Sequence, residues 1–236
     1  MSLAPQSVHA QSAVAKGEAL VASAIAAHGG SAYETAHYEF VFRGKTYTFH
    51  NQQDLYTYTR TVAKDGQIIL DKMNNDGFVR KVDGVTAEMT TKQMNGTREG
   101  LNSVLYFAML PYKLKDKAVN ALYFGEQIIK GKPYELVQVT FDQEGGGKDH
   151  DDTFMYWFNK DSQVMDYLAY SYHVNGGGVR FRTAYNSRMV DGIVFQDYVN
   201  YKAAVTTPLE KLPALWEANK LKELSRIETE AVKSLK

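Results

Sequence analysis

The sequence predicts a mainly β protein with flanking helices, and three observations carry that reading. Runs in which aromatic or β-branched residues alternate with polar ones recur between His37 and Tyr201. Between these runs stand Asp65-Gly66, Asp76-Gly77, Asp83-Gly84, Asn95-Gly96, Asn175-Gly176 and Asp191-Gly192, dipeptides suited to type I′ hairpin turns. Aromatic residues form 12% of the 236 residues, with 16 tyrosines, which favours strands. Consecutive hairpins make an antiparallel meander.

Taken in order, Met1-Ser2-Leu3 reads as a cloning scar and residues 1–13 as a disordered lead. Val8-His9-Ala10 has the small-residue spacing of a signal-peptide cleavage region, and an ordinary disordered terminus explains it equally well. From Val14 to His28 a helix is expected, with Val14, Gly17, Val21, Ala24, Ile25 and His28 on one face and Gly29-Gly30 as its stop. Strands follow at 37–43, 45–51 and 55–61. Thr97–Leu110 breaks the period: Leu101, Val104, Leu105, Ala108 and Met109 form a narrow helical stripe ended by Pro111. Strands resume at 121–124, 134–141, 153–159, 164–174, 179–190 and 193–201. Thr207-Pro208-Leu209-Glu210 resembles a capping box, and a helix restarting at Pro213 would turn Leu221, Leu224, Ile227, Ala231 and Leu235 inward. No linker or repeat interrupts residues 14–236, so one domain is expected there.

Composition excludes several functions. Lys+Arg and Asp+Glu both number 27, which removes the basic excess that binding to nucleic acid or to an anionic membrane requires. The absence of cysteine excludes a thiol nucleophile, cysteine zinc sites and disulfides. No apolar run of about 18 residues marks a transmembrane helix. Gly-x-Ser-x-Gly, His-Glu-x-x-His, a phosphate-binding loop and a dinucleotide fingerprint are also missing.

Both faces of the meander carry apolar weight. Phe154, Tyr156 and Phe158 oppose Met155 and Trp157; Leu168, Tyr170 and Tyr172 oppose Met165, Tyr167 and Ala169. Such a sheet must close or be covered. A strongly curved, partly closed sheet with helices over its mouth or flank is the preferred solution, and a filled closed barrel is the alternative.

The block Gly145–Asp152, then Phe154-Met155-Tyr156-Trp157 and Asp166-Tyr167-Leu168-Ala169-Tyr170, resembles a family of secreted proteins of Gram-negative bacteria with no established activity. Gly177–Arg182, Ala184-Tyr185-Asn186 and Asp197–Lys202 continue the resemblance, with Ala27–Gly30 and Phe40–Arg43 upstream. It implies a fold similar to the lipoprotein-carrier half-barrels (LolA/LolB-like), an antiparallel sheet with a helical lid over an apolar cavity, and export to the periplasm or outer membrane. No motif of the carriers themselves is present, so their cargo does not follow.

Among candidate sites, Lys148, Asp149, His150, Asp151 and Asp152 form the densest polar cluster, read as a cation-binding or solvated loop. An EF-hand is excluded because Phe154 stands where its glycine belongs. Arg180, Arg182, Asn186 and Arg188 share one strand face and suit a carboxylate or phosphate head group, or alternatively pair with Asp166 or Asp197. His37, His50 and His173 are isolated and read as packing or surface residues. No metal, cofactor or catalytic residue is assigned. The favoured function is binding of a lipid-like or other apolar ligand by Arg180, Arg182, Asn186, Tyr170 and Tyr172, with Leu101, Leu105 and Met109 of the lid helix lining the cavity. The alternatives are an enzyme using Asp, His and Arg of 149–152 and 180–188, and a non-catalytic envelope module with a protein partner.

Overall fold

The alternating runs become strands, and many of their inward residues are aromatic, Tyr38, Phe40, Phe49, Tyr134 and Phe181 among them. The computed structural model describes residues 6–144, 151–173 and 176–236. Among them fourteen strands form two open antiparallel sheets of seven, and the contacts divide the chain into two compact units interleaved in sequence.

The first unit contains helix α1 (Gln6–His28) together with Pro111–Asn186 and Asp197–Ile227. Its sheet is built from β7 (Val119–Ile129), β8 (Lys132–Phe141), β9 (Thr153–Asn159), β10 (Met165–Tyr172), β11 (Gly178–Val190), β12 (Ile193–Ala203) and β13 (Lys222–Ile227), in that spatial order. The far ends of β11 and β12 are counted with the second unit. One face of the sheet forms a core of Tyr134, Leu136, Met155, Trp157, Tyr167 and Phe181 under Leu209 and Leu212. Helix α1 crosses from β7 to β10. At one end the Gly17 position meets the Ala121 carbonyl and Tyr123 amide so closely that a Cβ would lie 2.6 and 2.8 Å from them. At the other, His28 accepts the Met165 amide.

The second unit contains Gly29–Leu110, Ser187–Gln196 and Glu228–Lys236. Its sheet runs β14 (Glu230–Ser234), β1 (His37–Phe42), β2 (Lys45–Gln52), β3 (Leu55–Lys64), β4 (Gln67–Asn74), β5 (Gly77–Val82), β6 (Val85–Thr86). Two-residue turns set the register. Tyr38, Phe49, Tyr58 and Met73 stand in one row across four strands, all at most 6% exposed. The parallel row reads Phe40, Tyr47, Arg60, Asp71, Arg80. Helix α2 (Thr91–Ala108) packs on β3 and β4, and its Leu101 and Leu105, with Met109, are wholly buried.

Three expectations need correction. Helix α1 begins at Gln6, ahead of Val14, and Val14 itself is 42% exposed. Asn95-Gly96 is no turn: a capping box between Thr90 and Gln93 starts α2 upstream of it. The C-terminal helix α3 is only Leu212–Glu217; Asn219 takes φ 55° and ends it. Leu221, Leu224 and Ile227 then lie on or beside β13, which extends the ladder of β12, and Ala231 lies on β14. Asn175 lies outside the described residues. Among those described, no helix is long and apolar enough to cross a membrane.

Candidate functional site

On the face of the first unit's sheet opposite Trp157 and Phe181, the aromatic density of β9 and β10 is stacked in register. Phe154, Tyr156 and Phe158 lie with ring centroids 6.4 Å apart along β9, and Phe154 stacks on Tyr170 of β10 at 5.4 Å. Val137, Tyr156, Leu168 and Arg182 form one cross-strand row; Val139, Phe154, Tyr170 and Arg180 form the next. The apolar members are at most 5% exposed where Val137, Val139, Phe154, Tyr156 and Leu168 sit. Toward the β10–β11 end the face becomes half-buried, at Tyr170, Tyr172 and Arg180.

Here each arginine leans one diagonal step onto a tyrosine, as neighbouring strands allow. The Arg180 guanidinium lies 5.0 Å from the Tyr172 ring centroid and donates to its hydroxyl. Arg182 lies 5.3 Å from the Tyr170 ring centroid and donates to its hydroxyl at 2.9 Å. Gly178 pairs with Tyr172 and its bare Cα gives the ring room: a Cβ would lie 2.5 Å from the hydroxyl oxygen. Arg182 is 8% exposed and beside Tyr198. Burial pushes the Tyr198 phenol up and the Arg182 charge opposes that rise. Asp166 is also raised by burial, against the lowering hydrogen bond from Tyr134, which donates to it at 2.8 Å. Asp197 is legible as a partner for this strand, whereas Tyr198 is an addition that the Arg-rich strand alone does not reveal. Its signal is its place beside Asp197 on the strand that follows the Asp191-Gly192 turn.

The structure thus brings Arg180, Arg182, Tyr170 and Tyr172 together. Asn186 stands farther along β11 at φ 48° and donates to Asp197 at 2.6 Å; Arg188 donates to Thr229 in the second unit. Leu101, Leu105 and Met109 belong to the second unit, where all three are fully buried. Of the polar loop, Lys148, Asp149 and His150 lie outside the described residues. Asp152 is 7% exposed, with its carboxylate 3.7 Å from His173 Nδ1. Among the described residues no group of three or more His, Asp or Glu is placed to hold a metal ion.

The model of DUF6503, described as a family of unknown function, matches residues 20–229. The chain belongs to that family. No curated protein matches it. The structure is similar to a LolA superfamily protein from Nitrosomonas europaea, with 10% identity, a TM-score of 0.50 and 92% of each chain covered. It is also similar to a DUF1329 family protein from Desulfovibrio piger, at 11% identity and a TM-score of 0.47 over 94% of this chain and 93% of that one. At such identity the likeness concerns the backbone alone. The fold is LolA-like.

Proposed function

We propose that this member of DUF6503 is a binding protein of the bacterial envelope for an amphipathic, lipid-like ligand. The observation that carries the reading is the graded face of the first unit's sheet. A fully buried apolar field around Phe154, Tyr156 and Leu168 gives way to half-buried Tyr170, Tyr172 and Arg180. A carboxylate or phosphate head group would meet the Arg180 guanidinium at that border, and an apolar chain would lie against the half-buried Tyr170 and Tyr172 rings beside it. The LolA-like fold and the cleavage-like Val8-His9-Ala10 support an exported protein of the periplasm or outer membrane. An acyl chain burying about ten methylenes gains roughly 8 kcal/mol before association costs, enough for micromolar binding.

Titration with a fluorescent fatty acid tests this. Wild type is expected to bind at micromolar concentration, and Arg180→Gln to bind about fivefold more weakly, a loss of roughly 1 kcal/mol. Gly178→Ala, which displaces the Tyr172 ring, is expected to do the same. Absence of binding by wild type, together with native mass spectra that are identical before and after organic extraction, would replace the lipid reading with that of an envelope interaction module.

A further inference from the structure

The second unit holds a different constellation, built by the row that places Arg60, Asp71 and Arg80 side by side on β3, β4 and β5. The Asp71 side chain is 1% exposed. Arg60 donates to its Oδ2 through Nε at 3.0 Å and Nη2 at 2.5 Å. Arg80 donates from Nε to Oδ1 at 2.7 Å and from Nη2 to Oδ2 at 3.0 Å. One buried carboxylate therefore fixes two guanidiniums in place and neutralises only one of them. Among the described residues neither Nη1 has a hydrogen-bond partner, and the two side chains are 14% and 26% exposed.

That exposed part faces a groove of about 690 Å³, within the size range of small-molecule sites, lined also by Glu88, Lys92, Gln93 and Gly96. Lys92 sits in the first turn of α2, which contains no acidic residue. A cation there opposes the helix dipole, so its position costs local stability and adds positive potential to the groove. The charges of Arg60, Arg80 and Lys92 exceed those of Asp71 and Glu88 by one, within a chain whose formal net charge is zero.

We propose that this groove is a phosphate-binding site: it takes the phosphate of a small phosphorylated compound or of an anionic phospholipid head group. Asp71 holds the arginine forks in place, the exposed Lys92 supplies a third cation, and Glu88 sets an upper limit on affinity. The proposal does not rest on the lipid reading, because its residues belong wholly to the second unit and fatty-acid binding at Arg180 can fail while phosphate binds here.

Removing Arg60 or Arg80 would strand the buried Asp71 charge and confound binding with folding. The test therefore uses Lys92→Glu and Glu88→Gln in the full chain, neither of which touches the Asp71 cluster. Calorimetric titration with inorganic phosphate at low salt is expected to show binding that Lys92→Glu weakens by about tenfold or more and Glu88→Gln strengthens by about threefold. Thermal unfolding of Glu88→Gln should match wild type, and Lys92→Glu should melt no lower than wild type, because an acidic residue suits the first turn of α2. Flotation with vesicles of phosphatidylglycerol in phosphatidylcholine, against phosphatidylcholine alone, separates the sources. Flotation that inorganic phosphate displaces assigns a lipid head group; phosphate binding without flotation assigns a soluble phosphorylated compound. Absence of both, or affinities that Lys92→Glu and Glu88→Gln leave unchanged, overturns the proposal.

Discussion

His28 is the last residue of α1, has no solvent exposure, and uses Nε2 to accept the Met165 amide at 3.1 Å. Burial lowers its pKa from 6.5 to about 4, so the ring is neutral in the folded protein at ordinary pH. In the unfolded chain it takes a proton near 6.5. Stability is therefore full above that value and is lost as pH falls from about 6.5 to about 4, with no further loss from this group below. The gap corresponds to roughly 3 kcal/mol at most. Urea unfolding at pH 7.5 and 4.5 should show that loss in wild type and a smaller one in His28→Gln, which is less stable at pH 7.5 and keeps only the contribution of groups such as His37, whose pKa burial also lowers. In the sequence His28 is legible only as the final member of a helical face, because its partner lies 137 residues away. The Arg60–Asp71–Arg80 row was more accessible. The Asp65-Gly66 turn alone pairs Lys64 with Gln67 and hence Arg60 with Asp71, so counting outward from each hairpin turn locates the cluster without any structure.

At the scale of elements, the Asx-Gly signal holds where the backbone takes two positive φ values in succession. Asp65-Gly66, Asp83-Gly84 and Asp191-Gly192 do so at 52° and 79°, 48° and 84°, and 43° and 89°. Arg43-Gly44 and Lys130-Gly131 adopt the same geometry at 50° and 68°, and 48° and 76°. Glycine at the second position allows the turn even where a long cation occupies the first. Strand β7 extends past its legible Ala121–Phe124 because a bulge between Tyr123 and Gly125 shifts its register. The C-terminal helix failed for a related reason: the i, i+3 spacing of Leu221, Leu224 and Ile227 mimics a helix face, yet Leu224 is 42% exposed, and the free edge of β12 supplied the stronger partner. Helix α1 offers the sharpest element-level test. Gly17→Ala improves intrinsic helix propensity by about 1 kcal/mol. The new Cβ, however, meets backbone atoms of β7 at 2.6–2.9 Å, which cannot rotate away. The clash should win and destabilise the protein by about 1–2 kcal/mol net; a rise in melting temperature for Gly17→Ala would show that α1 lifts off β7 without cost.

The whole molecule is organised by a connectivity that no local pattern announces. Hairpins follow one another along β1 to β6 and along β7 to β12, as the turn signals predict, but β13 joins the sheet of the first unit and β14 that of the second. The division into two compact units was equally hidden, because each is assembled from three separated stretches of chain. Strand β14 is the last piece of the second unit. It pairs with β1 through Tyr38–Ser234 and Glu39–Lys233, supports the Lys233–Glu39 ion pair at 2.8 Å, and follows Thr229, whose hydroxyl accepts from Arg188 at 2.8 Å. From residue 228 onward only Thr229 is buried, so deleting Glu228–Lys236 removes little core and the shortened chain should still fold. The loss of a ladder and of the Arg188 acceptors costs about 2 kcal/mol, which for a chain of this length lowers the melting temperature by roughly 4–8 °C. The larger consequence is at β1. Its outer edge would then present unpaired amides and carbonyls along His37–Phe42, an alternating aromatic strand of the kind that pairs with other chains. Sedimentation of the shortened chain should show association that grows with concentration, and Val41→Lys in the same background should reduce it by adding a charge to the exposed edge. A shortened chain that stays monomeric and melts with wild type would mean that β14 is an ornament on a sheet already closed off by other means.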